Sequence, residues 1–229
     1  MSSVYILIPV SLLCYFGFFQ TTRNAWKKGS EKILVHGDRV PDSIIVTNLQ
    51  ITGIVVLGFL TAILRKPAQM SFLSFPSNAD RLLVPVTFLL IIVVFIMSWI
   101  AAVRKIKQTP IINYPVNSNY RTITNYFLYR FLFLIAYEFF FRGVLLFDIA
   151  ILAGITISTI VNIVLYVIIH WFDDRQTIIG AVPFGIVLCW LSWKTQSIWP
   201  AVILHLVLAL TYEIKVISHL FHSPKKSIT

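Results

Sequence analysis

Long apolar runs recur along the chain, near residues 4–20, 44–64, 82–103, 125–147, 151–171, 177–193 and 198–217. About 20 apolar residues cross the hydrocarbon core as a helix, and lipid admits only backbone whose polar groups bond to one another. Runs that fall a little short are accommodated by tilt or local thinning. The expected fold class is therefore all-α: a polytopic membrane helical bundle of about seven transmembrane helices, one domain over residues 1–229. Composition agrees, since 12% of residues are charged against about 25% in soluble domains. The net charge of +10 does not point to nucleic acid, because the basic residues sit in short loops beside the apolar runs.

Those loops set the expected orientation. Arg23, Lys27, Lys28, Lys32 and Arg39 share one side with Arg104, Lys105, Lys107, Arg121, Arg175, Lys215, Lys225 and Lys226, thirteen in all. The other side holds four, Arg65, Lys66, Arg81 and Lys194. The richer side is expected to be cytoplasmic, which gives a multi-pass protein of the cell membrane with its N-terminus outside and its C-terminus inside. The first run lacks a basic leader and a small-residue cleavage site, so it is expected to be retained. Cys14 and Cys189 both lie in apolar runs and read as small buried hydrophobes rather than a disulfide or metal knuckle.

The first three runs (residues 1–117) read as a scaffold, and the last four (118–217) carry nearly all the polar groups expected at membrane depth. Glu138 and Arg142 stand four apart in an apolar stretch, so they share a helix face and can pair. Each ion costs roughly 2.5–3.5 kcal/mol to insert on translocon scales, and intramembrane ions by default mark a functional site. Arg130 lies on the same broad face. Gly143 permits close helix approach. The next run carries a stripe in steps of four, Ser158, Asn162, Tyr166 and His170, which has to face protein or water. The last run opens with Ser197 as a helix cap and Pro200 in the first turn, and His205 follows between Ala201 and Ala209. Glu213 and Lys215 read as a pair at the inner end of that run; His36, His219 and His222 read as solvated. Two histidines and a glutamate raise the question of zinc, but no His-Glu-x-x-His is present and the histidines lie on different helices. No metal and no cofactor is expected.

These residues resemble the CAAX prenyl protease and bacteriocin-processing (CPBP, or Abi) family of intramembrane proteases, over roughly residues 118–215. The family's Glu-Glu-x-x-x-Arg motif is matched by Tyr137-Glu138-Phe139-Phe140-Phe141-Arg142, its Phe-x-x-x-His by Tyr166 to His170, and its third histidine by His205 after Thr195-Gln196-Ser197-Ile198-Trp199. The resemblance implies hydrolysis of a peptide bond in a membrane-associated or leader peptide. It implies Glu138 as base on a water near His170, Arg142 as holder of the Glu138 carboxylate, and His205 as stabiliser of the oxyanion. Tyr137, Tyr166 and Asn162 are expected to contact substrate. Two positions depart from the pattern: Tyr137 replaces the first glutamate, and Ala209 replaces the asparagine four residues after the last histidine. The alternative is therefore a catalytically degenerate relative that binds a peptide or partner, as in bacteriocin immunity or protein maturation. A proton-relay transporter lacks the inverted repeat such folds show.

With straight helices, His170 and His205 fall at opposite ends of their runs. Their convergence is expected to need tilt or a broken helix, with Gly180, Pro183 and Gly185 as candidate break points.

Overall fold

The computed structural model describes residues 2–27, 43–76, 83–108, 120–173 and 175–222. These are helical almost throughout, with no strand among them. Helix α1 is Ser2–Lys27. α2 (Ser43–Gly53) runs through a π turn, Ile54–Phe59, into α3 (Leu60–Ile63), forming one rod. A short 3₁₀ segment, Pro67–Leu73, follows, with proline in its first turn. α4 is Leu83–Gln108. α5 (Tyr120–Glu138) continues through a second π segment, Phe139–Leu145, into α6 (Leu146–Ile169). α7 is Arg175–Thr195 and α8 is Trp199–His222.

Six helical stretches among the described residues are long and apolar enough to cross a membrane. One of them, Ile123–Ile169, has 47 residues. At 1.5 Å per residue a straight helix of that length would reach roughly 70 Å, more than twice the hydrocarbon thickness. It does not run straight. Gly154 sits at φ 81°, ψ 163°, a conformation closed to side-chain-bearing residues, and the chain turns back there. The returning arm is antiparallel: Ser158 Oγ donates to the Leu146 carbonyl at 2.6 Å, and Asn162 Nδ2 donates to the Phe141 carbonyl. The fourth and fifth runs of the sequence are thus two antiparallel helices, parted at Gly154 rather than near residue 149.

The expected convergence of His170 and His205 does not occur, since the Tyr166 and Tyr137 rings lie between them. The returning arm is short, so His170 stops alongside the middle of α5. α7 stays helical through Gly180, Pro183 and Gly185, and none of these is a break.

α4 shows what covers the bundle. In its interior it buries Val94, Ser98 and Ala102, one face in steps of four, and turns Phe88, Leu89, Ile92, Phe95, Ile96 and Met97 outward. The small side chains let α4 lie close along α8, where Ser98 Oγ donates to the Leu208 carbonyl at 2.6 Å. An outward face this apolar needs lipid around it. The chain is a multi-pass membrane protein.

Several cations and histidines lie elsewhere than their sequence context implies. Arg65 lies in the turn after α3 but does not face outward: its side chain is fully buried, and its guanidinium meets Asp148 at 2.5 Å and Ser11 at 3.0 Å. The first rods therefore carry a buried ion of their own. Glu213 does not pair with Lys215. It accepts from Arg130 Nε at 2.9 Å and from the Tyr126 hydroxyl at 2.5 Å, while Lys215 Nζ lies 4.5 Å from the Trp99 ring centre. His219 is part of α8 and half-buried. Lys28, Lys32, His36 and Arg39 lie outside the described residues.

Candidate active site

The site forms where α5 meets α8 in antiparallel register. Glu138 is the last residue before the Phe139–Leu145 π segment. Such segments widen a helix by one residue and recur at functional sites. The carbonyl of Phe141 within it receives the Asn162 amide, and all seven residues of the segment are buried. Phe72 lies over Gly143, where any side chain would collide with its ring.

On α8, the Ser197 hydroxyl accepts from the Trp199 backbone N–H at 3.3 Å, capping the helix as its sequence implies. The same hydroxyl donates to the Ser74 carbonyl at 2.8 Å, and Trp199 Nε1 donates to the Leu73 carbonyl at 2.7 Å. These bonds fix where α8 begins, and so the depth of His205 two turns later. Eight residues along each helix, the Arg130–Glu213 pair repeats the same α5–α8 pairing.

Glu138, Arg142 and His205 come together. His205 Nδ1 lies 2.5 Å from Glu138 Oε1, and Arg142 Nε lies 3.3 Å from Glu138 Oε2. Glu138 and Arg142 have fully buried side chains, whereas that of His205 remains 10% exposed. The Arg142 guanidinium lies over the Tyr166 ring, 4.4 Å from its centre. Gly185 lies alongside it on α7. The terminal guanidinium nitrogens find no hydrogen-bond partner among the described residues, and neither does the Tyr137 hydroxyl.

His170 does not join this triad directly. Its ring packs against Tyr166 at 4.9 Å between centres, and its Nδ1 lies 2.6 Å from Asp173 Oδ2. Tyr166 touches Tyr137 at 5.8 Å, and Tyr137 touches His205 at 5.8 Å. Two tyrosine rings thus stand between the two imidazoles. Asn162 is fully buried, with its amide engaged by Phe141 and its Oδ1 accepting from Cys189 Sγ at 3.4 Å. Among the described residues no three His, Cys, Asp or Glu side chains gather as metal ligands would.

Sequence reasoning passed over two acids here. Asp173, three residues after His170, is the kind of carboxylate that orients an imidazole. Asp148, alone in an apolar run, called for a cation and finds Arg65.

A family model described as type II CAAX prenyl endopeptidase, Rce1-like, matches residues 119–211, from the approach to α5 to within α8. Residues 119–211 belong to the CPBP, or CAAX protease, family. No curated protein and no solved structure matches the chain. The CPBP segment contains Glu138, Arg142, His170 and His205, and both departures from its motifs flank the last of these. The Tyr137 ring stands against His205, and Ala209 lies one turn further along α8.

Proposed function

We propose that the protein is an intramembrane endopeptidase that hydrolyses a peptide bond in a membrane-associated or leader peptide. The observation that carries this reading is the meeting of Glu138, Arg142 and His205 from two helices, inside the segment that matches the protease family. A carboxylate, its counter-cation and an imidazole are the groups needed to take a proton from water and return it to a leaving amine. The water is activated at the Glu138–His205 pair. Arg142 supplies the opposite charge beside the carboxylate, at 3.3 Å. His170, with Asp173 behind it, lies on the far side of the Tyr137–Tyr166 pair, and substrate lies along those two rings. Asn162 contributes by holding the π segment in shape. The host membrane is the plasma membrane, and the reaction draws on no metal or cofactor.

The full burial of Glu138 and the tyrosine at position 137 favour a second reading, a relative that binds a peptide without cutting it. Purified full-length protein in proteoliposomes, given a mixture of quenched-fluorescent peptides, separates the two. The endopeptidase releases fluorescence, and Glu138→Gln with intact helical content does not. Peptide binding with no cleavage by the wild type selects the second reading.

A further inference from the structure

In this chain one oxygen of Glu138 is taken by a hydrogen bond, and both are shut away from water. Oε1 faces His205 Nδ1 at 2.5 Å, Oε2 faces Arg142 Nε at 3.3 Å, and the side chain has no exposed surface. Oε2 accepts no hydrogen bond among the described residues, yet with no exposed surface it has no open side to offer a water. The imidazole beside it does. A carboxylate only accepts, so the ring nitrogen that meets it carries the hydrogen, and a neutral ring then presents its other nitrogen bare. No hydrogen bond occupies Nε2 among the described residues, and the side chain keeps 10% of its surface open. The ring is held in place on two more sides, by Tyr137 at an interplanar angle of 79° and by Phe184 at 82°.

We propose that Nε2 of His205 is the base that activates water, and that Glu138 is its positioning residue. The inference rests on the endopeptidase reading and reassigns the work within it. Glu138 fixes the tautomer and the ring angle, as a carboxylate does behind a catalytic or metal-binding imidazole. The water O–H gives its proton to Nε2 while its oxygen bonds to the scissile carbonyl carbon, and the carbonyl π pair moves onto its oxygen. That pair then re-forms the carbonyl, the C–N bond breaks, and the imidazolium returns the proton from Nε2 to the leaving amine. Peptide and water become an acid and an amine, and no redox partner or metal enters. Tyr137 standing where the family has its first glutamate is no obstacle on this account, because that carboxylate's task has passed to the ring.

The first measurement is the ¹⁵N spectrum of full-length protein labelled at histidine, in detergent micelles, with His205→Gln to assign the signals. The expected result is Nδ1 protonated and Nε2 bare in the wild type, with Glu138→Gln shifting the ring toward the opposite tautomer. A wild-type ring protonated at Nε2 alone overturns the inference without any peptide being cut. The second measurement is cleavage of the quenched-fluorescent peptide mixture. His205→Gln should lower kcat by about 10²–10⁴-fold, the usual share of a general base, with KM nearly unchanged. Unchanged kcat in His205→Gln overturns the base assignment while proteolysis stands. A wild type with the expected tautomer that cuts no peptide overturns the endopeptidase reading and the base role together, leaving only an oriented ring.

Discussion

A buried hydroxyl without a partner costs about 1–3 kcal/mol, and Tyr137 carries one beside the site. Such a group is retained where something from outside satisfies it, and on the proposed endopeptidase reading that is a carbonyl of the bound peptide. Tyr137→Phe is therefore expected to raise the melting temperature and to raise KM about tenfold, the worth of one hydrogen bond of roughly 1.4 kcal/mol. Thermal unfolding and initial-rate kinetics on the same preparation check both; a variant altered in neither respect removes the hydroxyl from substrate binding. At this scale the sequence was legible where partners are local. Glu138 and Arg142 stand four apart in an apolar run, and their pairing follows from helix geometry alone. The bond from His205 to Glu138 joins residues 67 apart and depends on the register of α5 against α8, which no local pattern reveals. Arg65 was obscured for a related reason. It ends an apolar run, where a cation ordinarily belongs to the loop, and only the fold brings Asp148 to it.

Gly154 decides the shape of the element that carries most of the site. Its φ of 81° and ψ of 163° suit glycine alone, and a Cβ there would meet nothing within 4 Å, so a substitution is opposed by backbone strain rather than by crowding. Gly154→Ala is expected to destabilise the protein by about 1–3 kcal/mol. Because the turn sets the register of Ser158, Asn162 and Tyr166 against Leu146, Phe141 and Tyr137, it should also lower cleavage. Unfolding in graded denaturant and the peptide assay measure the two effects, and an alanine variant matching the wild type in both would show that the turn tolerates a side chain. The helices themselves were plain in the hydropathy pattern. So was a reversal between the fourth and fifth runs; its placement at Gly154 was not, because a glycine among Ile, Leu and Ala reads equally as a packing contact, and no proline marks the turn. Length required the reversal, since 47 helical residues exceed a bilayer, but it does not fix the turning residue. The π segment after Glu138 leaves no compositional trace at all, and it is the Asn162 amide on the Phe141 carbonyl that betrays it.

Taken whole, the bundle divides into rods matched by the protease family, α5 to α8, and rods that precede the match, α1 to α4. The division is not one of active core and inert scaffold, since Ser11 of α1 and Arg65 beyond α3 reach into the α6 ion pair with Asp148, and the Tyr15 hydroxyl of α1 donates to the Leu165 carbonyl at 2.8 Å. With Arg65 buried, the cation-poor side of the expected topology keeps Lys66, Arg81 and Lys194, and the charge asymmetry still leads us to propose a cytoplasmic C-terminus. A green fluorescent protein fused after Thr229 should fluoresce, and alkaline phosphatase fused there should be inactive; the reverse pattern inverts the topology. The proposed orientation rests on loop cations, because insertion responds to charge outside the membrane, whereas the site depends on contacts made within it. On the proposed reading Glu138 and His205 act as one unit in peptide hydrolysis. This claim is tested most directly by kcat/KM for Glu138→Gln, His205→Gln and the double variant on a peptide the wild type cleaves. The account predicts that the double variant is no slower than the slower single one. Losses that multiply, or wild-type rates in either single variant, would contradict it.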